Sequence, residues 1–398
     1  MRLGQRLIHT LFLRCSPFPV IRSLFPIPYS LPPLALRARG VWGGYSLFPV
    51  PCSLFPVPFY MTELRQNLIT RDWVIIATER AKRPDEFTKT ETQLIPTPEY
   101  RSNCPFCPGN ELLTGGREIL RLSDDLNWKV RVVSNKYPAL SPEGERVRET
   151  DGIFHSLSGF GFHEVVIEHP RHDLTMALME IKDIANIIRV YRQRYIHIRK
   201  DARVETIIIF KNHGQGAGTS LEHPHSQIAA IPIVPYQWRD RVREAIRHYD
   251  DTGECIFCRT LKEELEAQER IIFTSEHFVA FIPYAALSPF HTWIFPRRHS
   301  SSFDEITDVE ILDLAKTLKN VLAKLYYGLN NPDYNYTIRS IPTAEQRTDY
   351  SHWYIALIPR VSLSAGFELG SGMYINTALP EESAAFLRSV KIPPDNCY

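Results

Sequence analysis

Residues 162–172 read FHEVVIEHPRH, and residues 290–299 read FHTWIFPRRH. Each opens Phe-His, continues through apolar or β-branched residues and ends in a proline-containing turn with a histidine, as a buried strand leaving a sheet does. The surroundings repeat as well. Cys104-Pro-Phe-Cys107 precedes the first and Cys255-Ile-Phe-Cys258 the second. A further histidine segment follows each, LEHPHSQIAAIP at 221–232 and SHWYIALIPR at 351–360. From His172 to His223 is 51 residues, and from His299 to His352 is 53. Between them lie LMEIKDIANIIRVYRQRYIHI and FDEITDVEILDLAKTLKNVLAKLYYGL, whose apolar residues recur at helical spacing. Residues 61–240 and 241–398 therefore read as two copies of one unit. The predicted fold class is α+β: two lobes related by a pseudo-twofold axis, mostly antiparallel sheet with flanking helices, the two sheets either separate or joined.

The first 60 residues stand apart. They hold no Asp or Glu, six Arg and ten of the chain's thirty prolines, with SLFPVPC from Ser46 repeated as SLFPVPF from Ser53. Proline at this density removes amide donors and fixes φ, which prevents regular helix or sheet. A transit or signal peptide would fit the basic character, but Pro17 and Pro19 break its apolar stretch. A proline-rich binding arm is a second alternative. The preferred reading is that Met61 begins the functional protein.

The 398 residues carry 23% charged residues and a net charge of +1. That balance argues against nucleic-acid and membrane-surface partners, which select a basic excess. No apolar run is long enough for a transmembrane helix, and a cytoplasmic protein with small-molecule substrates is expected. In that compartment Cys-x-x-Cys reads as metal ligation before it reads as disulfide. Each half supplies four N/S ligands, the set zinc takes tetrahedrally. The first set is Cys104, Cys107, His172 and His223, with His169 the rival to His172. The second is Cys255, Cys258, His299 and His352. A closed four-ligand shell leaves no position for substrate, so two structural zinc ions are expected, with iron the alternative at one.

The chemistry concentrates in Asn212-His-Gly-Gln-Gly-Ala-Gly-Thr-Ser-Leu-Glu-His-Pro-His-Ser-Gln227. Gly214, Gly216 and Gly218 would let backbone approach a phosphate closely. In an extended chain residues 223, 225 and 227 share a face. His223 can then reach the metal with His225 and Gln227 lined up beside it. A histidine held by a bond from its other ring nitrogen can attack phosphorus, and His225 is the candidate nucleophile.

This arrangement resembles the transferase branch of the histidine-triad superfamily, so the lobes are expected to be histidine-triad-like. Hydrolases of that superfamily carry a third histidine where this chain has Gln227. An amide can hydrogen-bond phosphoryl oxygens but cannot protonate a leaving group, which favours a covalent intermediate awaiting an acceptor. RAKRP, CPFCPGN, VSNKYPAL, HPHSQ, HWYIALIPR and AGFELGSGMYIN extend the resemblance to the galactose-1-phosphate uridylyltransferases over nearly all of residues 61–390. It implies that Arg80, Arg83 and Asn135 contact the nucleotide. It further implies that Asn212, Gly218, Ser220 and Gln227 hold the α-phosphoryl group and that Phe367, Glu368 and Asn376 contact the hexose. The implied reaction is ping-pong transfer of UMP from UDP-glucose, through uridylyl-His225, to galactose 1-phosphate; a homodimer is implied too. Tyr354 stands where a second nucleophile would be, so the second half should be catalytically silent. The Cys255/Cys258 pair resembles the ADP-glucose phosphorylase-like branch. The alternative is thus an adenylyl-histidine attacked by inorganic phosphate. A non-catalytic, zinc-stabilised nucleotide-binding protein is the reading from a different class.

Overall fold

The computed structural model describes residues 62–77, 83–87, 97–124, 127–345 and 347–394. The proline-rich segment 1–60 and Arg80 lie outside the described residues. The chain opens with the hairpin β1 (Glu63–Gln66) and β2 (Trp73–Ile76), then forms β3 (Glu118–Asp124) and β4 (Asn127–Ser134). A small hairpin, β5 (Arg148–Asp151) and β6 (Phe154–Leu157), precedes β7 (Phe162–Ile167), helix α1 (Ile181–Ile198), β8 (Thr206–His213) and β9 (His225–Ile231). Helices α2 (Tyr236–Thr252) and α3 (Ile256–Ala267) lead into β10 (Ile271–Thr274), β11 (Phe278–Phe281) and β12 (Thr292–Pro296). The second half continues with α4 (Asp308–Gly328), β13 (Tyr334–Arg339) and β14 (Tyr354–Pro359). The described chain closes with α5 (Gly366–Ser371), β15 (Tyr374–Asn376) and α6 (Pro380–Ser389).

Ten strands form one sheet in the order β10-β11-β12-β14-β13-β8-β9-β7-β4-β3, and the neighbours pair antiparallel. Outward from the β8–β13 junction, each half runs in the same sense, β8-β9-β7-β4-β3 and β13-β14-β12-β11-β10. The two sheets are therefore joined, and the fold is α+β as the sequence predicts.

Strand alternation sorts the two faces of the sheet. Ile207 and Ile209 of β8 and Ile228 and Ala230 of β9 are buried with Ile184, Ile188 and Tyr191 of α1. The helix α4 packs beside α1, presenting Ile311, Leu314, Leu318, Val321 and Leu325 at three- and four-residue intervals. Its first turn is fixed by a capping box: Thr307 accepts from Glu310 N, and the Glu310 carboxylate accepts from Thr307 N. On the opposite face Val133, Val165 and Ile167 pack against Cys104, Phe106 and Cys107. In the second half Val279, Phe281, Trp293 and Phe295 pack there against Cys255 and Phe257. The cysteine pairs thus cover the face that α1 and α4 leave open.

Two features escape the sequence pattern. The C-terminal β15 adds in parallel to β2, giving a separate sheet in the order β1-β2-β15. Helices α2 and α3 join the halves, in a stretch to which the sequence reading assigned no element. Among the described residues no helix is long and apolar enough to cross a membrane.

Across the α1–β7 contact Arg194 holds Glu164 through two bonds of 2.6 and 2.8 Å, and both residues are buried. Removing one partner leaves a buried charge without compensation. Arg194→Met is therefore expected to lower the free energy of unfolding by about 3–5 kcal/mol, measured by denaturant titration. Adding Glu164→Leu should recover most of that loss.

Candidate active site

The chain leaving β7 turns at Pro170 and brings His172 beside the first cysteine knuckle. The ligand atoms of Cys104, Cys107, His172 and His223 all lie within 4.8 Å of one another, and all four residues are buried. Cys107 Sγ is 3.5 Å from His172 Nδ1 and 3.6 Å from His223 Nδ1, and the two Nδ1 atoms are 3.3 Å apart. A tetrahedral ion with bonds of about 2.3 Å to sulfur and about 2.05 Å to nitrogen requires separations of roughly 3.5 and 3.3 Å. The donors fit. His223 Nε2 donates to His169 O at 2.8 Å, which leaves Nδ1 unprotonated for a metal. Burial pushes the His223 imidazole down to about 3, keeping the ring neutral. His169 contributes only that carbonyl; its ring turns away to Asp183, 3.7 Å distant, so His172 joins the cluster and its rival does not.

The second cluster repeats the first. Cys255, Cys258, His299 and His352 also hold their ligand atoms within 4.8 Å of one another. Cys258 Sγ lies 3.3 Å from His299 Nδ1 and 3.5 Å from His352 Nδ1. Their Nε2 atoms donate to Thr348 O at 2.9 Å and Pro296 O at 3.0 Å, which again frees Nδ1 for a metal.

His225 opens β9, two residues beyond His223 of the first Cys/His cluster. Its Nδ1 lies 2.8 Å from His223 O. A carbonyl only accepts, so Nδ1 carries the proton and Nε2 keeps its lone pair. Burial lowers the pKa of this ring, favouring the neutral form. Phe106, from between the knuckle cysteines, packs against both rings, 5.4 Å from His225 and 6.0 Å from His223. The first Cys/His cluster and the candidate nucleophile therefore share a wall.

Behind β9 lies a buried polar network that the sequence alone did not reveal. Lys211 Nζ pairs with Glu168 and donates to His225 O at 3.1 Å. Tyr191 OH bonds Ser226 Oγ at 2.6 Å, Tyr336 OH at 2.7 Å and Glu168 at 3.2 Å. This network pins the start of β9, at His225 and Ser226, from the helix side. The signal that could have found it is a Lys at a helix-facing position of the apolar strand TIIIFKNH.

An open cavity of about 660 Å³ is lined by His225, Asn212, Ser220, Lys211 and Asp333, among others. That volume suits a small-molecule site. The glycine loop beside it serves a purpose not foreseen. A Cβ on Gly214 would meet Asp333 Oδ1 at 2.1 Å, and one on Gly216 would meet Oδ2 at 2.6 Å. Gly216 N donates to that carboxylate at 2.6 Å. In this structure these glycines admit Asp333 of the second half, whereas the sequence suggested direct approach to phosphate. Gly218, with φ +89°, ends the turn in the left-handed region.

Other expected site residues lie outside the cavity lining. Gln227 Oε1 is bound by His163 Nε2 at 2.8 Å, with Asn135 Nδ2 3.2 Å from the same ring atom. Arg83 is exposed before the short turn Pro84–Phe87. Phe367 and Glu368 sit on exposed α5, where the Glu368 carboxylate accepts from Ala365 N at 2.8 Å and so caps the helix. The Asn376 amide is buried, donating to Ala286 O and accepting from Ala378 N, both at 2.9 Å. It holds β15 in place and is not directed to the cavity. Tyr354 opens β14 as His225 opens β9, but its ring is buried 5.2 Å from Trp293 and 5.0 Å from Phe295.

Family models for the N-terminal and C-terminal domains of galactose-1-phosphate uridyl transferase match residues 56–235 and 240–390. The chain is 39% identical to an ADP-glucose phosphorylase of Arabidopsis thaliana over 83% of its length and 93% of the relative. It is 30% identical to a galactose-1-phosphate uridylyltransferase of Thermotoga maritima, covering 83% of this chain and 99% of that one. The crystal structure of an ADP-glucose phosphorylase from Arabidopsis thaliana with bound ADP-glucose superposes with a TM-score of 0.71 at 34% identity, over 84% of this chain and all of that one. By sequence and by fold, the chain belongs to the galactose-1-phosphate uridylyltransferase family and is a nucleotidyltransferase.

Proposed function

We propose that the protein transfers a nucleotidyl group through a covalent intermediate on His225, taking ADP-glucose as its donor. One observation carries the covalent step: His225 lies on the cavity wall with Nδ1–H fixed to a carbonyl and the Nε2 lone pair free. Nε2 attacks the α-phosphorus of the nucleotide sugar and glucose 1-phosphate leaves, forming a phosphoramidate. An oxygen of inorganic phosphate then attacks the same phosphorus, ADP departs and His225 is regenerated. The first step trades a P–O bond for a P–N bond and the second trades it back, so neither is steeply uphill. Amide and backbone donors beside His225 would stabilise charge on the phosphoryl oxygens, which is where most of the rate enhancement in such transfers arises. The residue two places on from His225 is Gln227, which cannot serve as the general acid that would assist water.

Adenine is preferred to uracil because the 39% relative bears the phosphorylase name while the Thermotoga maritima uridylyltransferase stands at 30%. The paired cysteines of the second cluster point the same way. The second reading, UDP-glucose with galactose 1-phosphate as acceptor, draws on the names of the two family models and uses identical chemistry.

The two clusters fit zinc by donor type and separation. When bound, each ion would supply a crosslink, since four protein ligands leave no coordination position for substrate. Elemental analysis is expected to find two zinc ions per chain. Cys107→Ser and His352→Asn should each remove about one; loss of neither would contradict the assignment. Intact-protein mass of the full chain after incubation with ADP-glucose should rise by about 329 Da, the adenylyl group expected on a histidine nucleophile. UDP-glucose should leave the mass unchanged. A rise of about 306 Da with UDP-glucose alone would establish the uridylyl reading instead. His225→Ala should abolish either adduct.

A further inference from the structure

Asn212 on β8 and Gln227 on β9 sit on the face of the sheet that carries His225. A side-chain amide presents a donor on one side and an acceptor on the other, and only its hydrogen-bond network shows which way it points. Toward a phosphoryl group the difference is decisive, because NH2 stabilises negative oxygen and C=O repels it.

Both orientations are fixed by groups with a single possible role. Ala139 N–H donates to His163 Nδ1 at 3.0 Å, so that nitrogen is an acceptor and Nε2 must carry the ring proton. Its partner at 2.8 Å must then be an oxygen, which makes it Gln227 Oε1. Asn135 Nδ2, 3.2 Å from the same ring nitrogen, is a neighbour of that bond and not a member of it. The Asn135 oxygen accepts from Tyr137 N at 2.9 Å.

On the other side Arg360 Nε donates to Asn335 Oδ1 at 2.5 Å, and Asn335 Nδ2 donates to Ala217 O at 2.9 Å. A guanidinium cannot accept and a carbonyl cannot donate, so the Asn335 amide cannot be reversed. Its nitrogen also lies 2.8 Å from Asn212, which must present Oδ1. The orienting groups come from outer strands, His163 from β7 and Asn335 from β13, while the amides they hold lie on the inner pair β9 and β8. Both oxygens are thus drawn away from the β8–β9 seam. The Asn212 and Gln227 nitrogens donate to no described residue, and Asn212 Nδ2 comes within 4.0 Å of where a Gly218 Cβ would sit.

We infer that His163 and Asn335 are positioning residues: by occupying the carbonyl oxygens of Gln227 and Asn212, they turn both amide NH2 groups toward the phosphoryl group attacked by His225. Asn335 and Arg360 belong to the second half, which thereby acts on the chemistry without a nucleophile of its own. The inference rests on the covalent reading of His225.

The test is the single-turnover rate of adduct formation in the full chain, measured by rapid quench and intact mass, with zinc content and melting temperature as controls. Asn335→Asp replaces the donor with an acceptor and should reverse the Asn212 amide, slowing the step roughly 100-fold, the scale of losing one such donor. His163→Leu should cost on the order of 10- to 100-fold. His163→Gln, whose Nε2 can replace that of the imidazole, should stay within a few-fold of wild type. The discriminating measurement is a pair of double-mutant cycles. In an Asn212→Ala background Asn335→Asp should have almost no further effect, and the same holds for His163→Leu in Gln227→Ala. If the losses instead persist in full in those backgrounds while zinc and melting are unchanged, the residues do not act through the amides and the inference is overturned. If Asn335→Asp fails to fold, the two His163 variants and their cycle decide alone. Absence of any wild-type adduct with ADP-glucose or UDP-glucose overturns the covalent reading, and this inference with it.

Discussion

The structure depends on the antiparallel pairing of β8 with β13. That ladder, from Tyr334 opposite His213 to Ile338 opposite Ile209, is where the sheets of the two repeats meet. It converts two five-strand sheets into a single ten-strand sheet, so neither inner edge presents unpaired amides to solvent. It also sets the register that places Asn335 directly opposite Asn212 and brings Asp333 under Gly214 and Gly216. A slip of one residue would move each of these side chains to the other face.

The two Cys/His clusters follow from how the halves cover that sheet. One face is closed by α1 and α4. The other is covered by the two Cys-x-x-Cys segments, the first in a loop before β3 and the second in the opening turn of α3. In the first half the knuckle leaves β8 and β9 open, and the cavity forms there with His225 on its wall. In the second half α2 and α3 pack over the equivalent surface, and Tyr354 is enclosed among Phe257, Trp293 and Phe295. The repeat thus diverged in what covers the sheet as well as in which residue opens the strand.

Much of this was legible in the sequence. Cys-x-x-Cys pairs and histidines at strand ends are local patterns, and duplication made them recognisable without any structure. The helices α1 and α4 declared themselves by apolar spacing. Spacing could not choose between His169 and His172, because the choice is made by the turn at Pro170 and by a carbonyl contact. Nor could it show that the loop glycines make room for Asp333, which lies more than a hundred residues away. The pairing of β15 with β2 joins segments 300 residues apart and leaves no periodicity to read. Lys211 and Glu168 look like solvated charges until the sheet places them back to back beneath His225. Asn376 was expected at the hexose because the resemblance implies a contact there, and the sequence carries no sign that both ends of its amide are already occupied.

The central claim is that His225 holds the nucleotidyl group between two half-reactions. The most direct test is exchange of isotopically labelled glucose 1-phosphate into ADP-glucose with every acceptor withheld. A covalent intermediate predicts label in the nucleotide sugar without phosphate, at a rate comparable to turnover, and none in His225→Ala. Turnover in the presence of phosphate without any such exchange in its absence would mean that donor and acceptor react directly, and would contradict the account.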